Sequence, residues 1–172
     1  LDRETGYFKT SPVPFMFSES EDISFMMKLR RQAREMSLQV LYAMEMSGEP
    51  VDQVIADVLL LNENPECDET FLRDLVRHTS ANKESIDERI RNRSRNWDFN
   101  RIALIDKIIL RQAIAELIFS EDIPPRVTIS EAIELAKKYS TDDSHVFING
   151  LMDRIYHDLI EEGRIFPEVT ET

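Results

Sequence analysis

Glycine and cysteine are nearly missing from this chain. Its four glycines, Gly6, Gly48, Gly150 and Gly163, do not cluster. No phosphate-cradling loop can therefore form, because such a loop needs backbone that approaches its ligand closely. The scarcity also argues against a turn-rich β architecture of many short strands. A single cysteine, Cys67, excludes an internal disulfide and a cysteine-based zinc site. No apolar run approaches the roughly 20 residues that span a bilayer. The N-terminus has neither the basic start nor the apolar stretch of a secretory signal. The expected compartment is the cytoplasm.

What is present favours helices. Hydrophobic residues make up 42% and charged residues 31% of the 172, as in an ordered soluble domain, and Leu, Ile, Ala, Glu and Arg are abundant. The length suits one domain, or a two-lobed one, with its own core. Residues 1–25 differ, with Pro12, Pro14, the acids Glu19, Glu21 and Asp22, and aromatics without helical spacing. They are expected to be a poorly ordered N-terminal extension, with the domain proper over 26–172. Met26 and Met27 sit just before a basic segment, so the native start is expected there.

Hydrophobic period predicts seven helices. The first, about 28–47, ends at Gly48-Glu49-Pro50. Leu29, Ala33, Met36, Val40 and Met44 share one face at about 100° per residue, and Lys28, Arg30, Arg31 and Arg34 lie away from it. Leu38 and Leu41 interrupt the polar side, so the second half should be more enclosed. Further helices are expected at about 51–61, 68–79, 82–95 with Asn82 as cap, 101–119, 128–139 and 142–162. The fifth is apolar nearly all round, from Leu104 to Ile118, which requires burial on several sides and makes it central. Thr128-Ile129-Ser130-Glu131 has the form of a capping box, with Thr128 as N-cap and Glu131 reaching back. The fold class is all-α, a bundle with short connections.

The net charge of −12 repels phosphate if taken as a sum, but it is unevenly distributed. Lys28, Arg30, Arg31 and Arg34 form a cationic run without an acid, Arg89, Arg91, Arg93 and Arg95 form a second, and acids dominate from Glu116 onward. The pattern is either a basic patch on an acidic body that suits a basic protein partner, or ordinary solvated surface. Free arginines neutralise phosphates and stack on or hydrogen-bond to bases. Single-stranded RNA also needs aromatic platforms. Tyr42, three turns beyond Arg31 on nearly the same face, and Phe147, flanking the last helix's apolar stripe, are candidates, although core packing accounts for either equally well. Catalysis finds little support. His78, His145 and His157 are scattered, and the last two lack the three- or four-residue spacing of helical metal ligands. Asp142-Asp143 suits a helix start. No enzyme, metal or cofactor is expected.

Two segments carry a resemblance. Lys28-Leu29-Arg30-Arg31-Gln32-Ala33-Arg34-Glu35, continuing to Gln39-Val40-Leu41-Tyr42, is similar to the opening of the NusB family. Val127-Thr128-Ile129-Ser130-Glu131-Ala132-Ile133-Glu134-Leu135-Ala136-Lys137, then Asp143-Ser144-His145-Val146-Phe147-Ile148-Asn149-Gly150-Leu151-Met152-Asp153, is similar to its close. Ile105-Asp106-Lys107-Ile108-Ile109-Leu110-Arg111 and Glu116-Leu117 match between them. The resemblance implies a seven-helix fold of two packed helical bundles. It also implies binding of single-stranded boxA-like RNA beside the ribosomal protein NusE, within the transcription elongation complex, supporting antitermination in ribosomal RNA operons. By position, Lys28, Arg30, Arg31, Arg34 and Tyr42 would form the first RNA surface, and Asp143, Phe147 and Asn149 would lie at or beside the second. Asp106 and Glu116 would face the partner protein.

Gln32 stands where many members continue the arginine run, Ser130 where Asn is usual, and Val146 where lysine is common. Fewer cations imply weak affinity for RNA alone, with the partner supplying much of the binding. Two other readings compete: a helical protein-binding scaffold whose arginines are surface salt-bridge partners, and a detached RNA-recognition domain of an RNA methyltransferase. The family resemblance also leaves room for a homodimer that covers the RNA face.

Overall fold

A computed structural model describes residues 19–63, 65–94 and 97–167. Among the described residues there are seven α-helices, one 3-10 turn and no β-strand. They are α1 (Glu19–Ser47), α2 (Val51–Leu61), α3 (Glu69–Ala81), α4 (Lys83–Arg93), the 3-10 turn Phe99–Arg101, α5 (Leu104–Phe119), α6 (Pro125–Tyr139) and α7 (Ser144–Glu161).

The helices form two bundles. α1, α2 and α3 pack on one another, as do α4, α5, α6 and α7, and α5 also reaches across to α1 and α3. The apolar circumference of α5 explains its place. Ile108, Ile109, Leu110, Ile114 and Ala115 point in different directions round the helix, yet each is at most 1% exposed. Burying each large aliphatic side chain contributes roughly 1.5–3 kcal/mol, so a helix of this kind is stable only with neighbours on several sides. Leu38 and Leu41, in the second half of α1, are buried as expected.

Helix ends depart most from expectation. α1 begins at Glu19, inside the segment expected to be an extension; no Gly or Pro interrupts it before Gly48, and Asp22 in its first turn suits the helix dipole. Residues 1–18 lie outside the described residues. α6 begins at Pro125 rather than after Thr128, because proline at the first helical position is pre-set in φ and needs no N–H partner. The expected capping box therefore does not form. Thr128 sits one turn inside the helix and donates its hydroxyl to Glu116 at 2.7 Å. Asn82 stands at the N-cap position of α4, as expected, but makes no side-chain capping bond there; its side chain donates to the His78 carbonyl at 2.8 Å and so closes α3. Asp68 caps α3 by accepting from the Phe71 amide at 3.0 Å.

A buried cation ties the bundles together. Arg111 on α5 donates through Nε and Nη2 to Asp87 of α4 at 2.7 and 2.9 Å. Its Nη1 reaches Glu45 of α1 at 3.1 Å, and Lys83 meets the same Glu45 oxygen at 2.5 Å. Arg111 and Asp87 side chains are each only 8% exposed. Removing one member of such a pair strands the other charge in the interior, at a loss of about 3–5 kcal/mol. Asp87→Ala should lower unfolding stability in urea by about that much, whereas Glu69→Ala, which breaks the exposed Arg73 pair, should lower it by less than about 1 kcal/mol. Equal losses for the two variants would contradict this account of the bundle junction.

Candidate nucleic-acid interface

The cationic run of α1 divides in three. Arg34 is buried, at 4% exposure, and its fork binds Glu116 of α5 through Nε at 2.8 Å and Nη2 at 2.7 Å. The Phe71 ring lies 5.2 Å from its guanidinium carbon. Arg34 is thus a structural residue with no donor face in solvent, contrary to its expected place on an RNA surface. Burial along the α1 core stripe is the cause: Arg34 directly follows Ala33 and precedes Met36, both fully buried.

Arg31 and Arg30 are intermediate cases. The Arg31 side chain is 58% exposed, but it chelates Glu131 of α6 through Nε at 3.0 Å and Nη2 at 2.6 Å. That hydrogen bond and charge push its pKa further up. Arg30 donates to Asp122 at 2.7 Å and its Nε lies 3.6 Å from Asp68. Lys28 is exposed. Nearby, Glu35 accepts from Lys138 and the Tyr139 hydroxyl, both at 2.7 Å. The surface is therefore one of mixed charge rather than a uniform basic patch. Tyr42, 40% exposed, keeps an accessible ring further along α1.

The two acids expected to face a partner protein point inward. Glu116 is 2% exposed and saturated by Arg34 and Thr128. Asp106 is 7% exposed and accepts from Ser140 at 2.6 Å and Ser144 at 2.8 Å, fixing the start of α7 to α5. Neither offers a carboxylate to a partner. The second arginine group is also largely committed: Arg89 to Glu162 at 2.6 Å, Arg93 to Asp158, and Arg91 over the Phe99 ring at 4.4 Å. Arg95 lies outside the described residues.

The open site lies where α7 starts. A cleft of about 630 Å³ runs between α7 and the connection from α4 to α5, with Trp97, Phe147, Arg101, Arg154 and Asp143 on its walls. Helical spacing produces one wall, because positions 143, 147, 150 and 154 recur every three or four residues. Trp97 is 63% exposed, and its ring centroid lies 5.7 Å from that of Phe147 at 56°, a tilted pair that holds both faces apart and accessible. Half-buried Phe147 also rests on the core, which fixes it in place. Asp143 and Phe147 are thus brought together as expected, while Asn149 is exposed outside the lining. Trp97, Arg101 and Arg154 were not singled out from sequence. The signal was available: the chain's single tryptophan stands between two arginines, in a stretch with no helical period. Aromatic faces flanked by guanidinium groups stack unpaired bases and neutralise their phosphates.

Comparison with known proteins places the chain in a family. The family model described as NusB family matches residues 31–157. The transcription antitermination protein NusB of Chloroherpeton thalassium is 42% identical over 137 residues, covering 78% of this chain and 64% of that protein. The protein of the same name from Natranaerobius thermophilus is 40% identical over 133 residues, 76% of this chain and 96% of its own. Among solved structures, NusB from T. maritima superposes with a TM-score of 0.67 at 34% identity, covering 75% of this chain and 91% of that one. A complex of antitermination factors NusB and NusE with dsRNA superposes at 0.67 and 27% identity, covering 77% and 99%. With family sequence, relatives and fold in agreement, this chain belongs to the NusB family.

Proposed function

We propose that this protein is a non-enzymatic transcription antitermination factor that binds boxA-like RNA together with NusE and supports transcription of ribosomal RNA. The names of its relatives and the solved NusB–NusE–dsRNA assembly support that reading. The observation that carries it is the Trp97–Phe147 cleft, two accessible aromatic faces held open beside Arg101 and Arg154. It acts within the elongation complex, in the cytoplasm, through the domain spanning residues 26–172. No described helix is long and apolar enough to cross a membrane.

Two surfaces share the work. Lys28, Arg30, Arg31 and Tyr42 meet the RNA from α1, with Arg31 exchanging Glu131 for phosphate, and Asp143, Phe147 and Asn149 meet it at the α7 start. Arg34, Glu116 and Asp106 act from beneath, holding α1 and α7 in register. The solved assembly carries double-stranded RNA, whereas exposed rings of this kind favour unpaired bases. An RNA with a single-stranded boxA-like segment is therefore expected to bind more tightly than its duplex.

The test is a titration of such an RNA with and without NusE at two salt concentrations. Affinity should fall steeply with salt. Trp97→Ala and Phe147→Ala should each weaken binding by about 5- to 150-fold, the equivalent of roughly 1–3 kcal/mol of base stacking. Arg31→Glu should weaken binding with helicity intact. RNA affinity that is indifferent to all three substitutions would instead favour a protein-binding scaffold.

A further inference from the structure

Two ion pairs stitch α1 to α6. Arg31 forks onto Glu131 through Nε and Nη2, and Lys138 meets Glu35 at 2.7 Å. Both pairs have the same layering. The cations lie outside, with side chains 58% and 56% exposed, and the acids lie beneath them, at 9% and 15%. An anion approaching this seam, a pocket of about 340 Å³ that Lys137 also lines, therefore meets the guanidinium and ammonium groups before their counter-ions. Glu131 has a second cation behind it. Nη1 of buried Arg34 lies 3.9 Å from its Oε2, while Nε and Nη2 of Arg34 stay with Glu116.

We propose that Glu131 is an internal counter-ion that sets the affinity of the α1 surface for RNA, holding Arg31 until a phosphate takes its place. The proposal deepens the RNA reading and rests on it, giving a role to a residue that itself touches no RNA. Carboxylate and phosphate oxygens accept the same side-on fork of a guanidinium, so the two compete for one donor edge and one charge. Whatever Arg31 gains from phosphate is reduced by the bond it gives up. A buried carboxylate left without a cation is strongly destabilising, and that would forbid the exchange if Arg31 were the sole cation near Glu131. Arg34 removes the obstacle, because it remains beside Glu131 when Arg31 turns outward. The Arg34–Glu116 pair cannot open in this way, since both of its members are buried. One fork is thus a lock and its neighbour a gate.

The test is a double-mutant cycle on the full chain, read as affinity for the single-stranded boxA-like RNA at one low salt concentration. Glu131→Gln keeps the shape and one acceptor oxygen but removes the charge, and affinity should rise about three- to tenfold, a coupling typical of residues in contact. Glu134→Gln removes an exposed charge from the same helix and should change affinity by less than about twofold. In an Arg31→Ala background, Glu131→Gln should bring no gain. Unchanged or weaker binding by Glu131→Gln overturns the proposal and makes Glu131 a support for Arg31. A gain that survives in the Arg31→Ala background overturns it in favour of a general charge effect. A readout on the unaltered chain covers the case of a misfolded variant: the Glu131 carboxyl carbon resonance should shift as RNA is added, and no shift at saturation overturns the exchange. Absence of RNA binding by the unaltered chain and by Glu131→Gln alike overturns the RNA reading as well. Binding that depends on Trp97, Phe147 and Arg31 but ignores Glu131 overturns this proposal alone.

Discussion

A guanidinium carried into an apolar interior must find a carboxylate there, and the Arg34–Glu116 pair is the constraint from which much of this molecule follows. The desolvation of two charges is offset only when geometry is good and the remaining lone pairs are met. Here the fork is bidentate, and Thr128 donates to a Glu116 oxygen that Arg34 also holds. The three residues belong to α1, α5 and α6, so one satisfied cluster fixes the rotation of α1 against the second bundle. Phe71 of α3 lies against both Arg34 and Arg30, which extends the lock into the first bundle. With α1 held in that rotation, Arg31 and Lys28 are left facing outward about one and two turns before it.

The same logic governs charge across the molecule. A chain at −12 surrounds its cations with acids, and Arg30, Arg31, Arg89, Arg93 and Arg111 all have carboxylate partners of their own. Binding an anionic polymer then means exchanging one set of oxygens for another, and the net electrostatic gain of each contact is small. Val146, 64% exposed in the lining of the cleft, adds no charge there, and Gln32 interrupts the α1 run. In the function proposed above, stacking on Trp97 and Phe147 needs no charge exchange and would carry a larger share of the recognition than phosphate contact.

The helices were legible because they rest on period, whereas their grouping into two bundles came only from the family resemblance. The all-round apolar pattern of α5 dictates its central place, and no tertiary detail is needed to see it. Helix starts were not legible where one residue had two uses. Thr128 and Glu131 have capping-box identity and spacing, but Pro125 had already begun the helix, and both side chains are drawn to arginines and acids a hundred residues or less away in sequence and adjacent in space. Arg34 was misplaced for a related reason: its neighbours Arg30 and Arg31 read as one basic run, and only packing separates a buried fork from an exposed one. Trp97 was passed over because it lies in a connection, where periodicity is silent.

Along α1 the sequence changes role by degrees of burial. From Ala33 to Leu41 the helix is mostly core, its one internal charge neutralised. At Arg30 and Arg31 it is half-covered: Arg30 is held by exposed Asp122 and partly exposed Asp68, and Arg31 by the buried carboxylate of Glu131. From Asp22 to Lys28 it is bare, although its apolar stripe does not stop. A helix whose purpose ended at the core would become polar once it left the body, since exposed methionine and phenylalanine there add nothing to the fold and invite association. The persistence of the stripe beyond Ala33 is therefore a feature that packing within the chain does not explain.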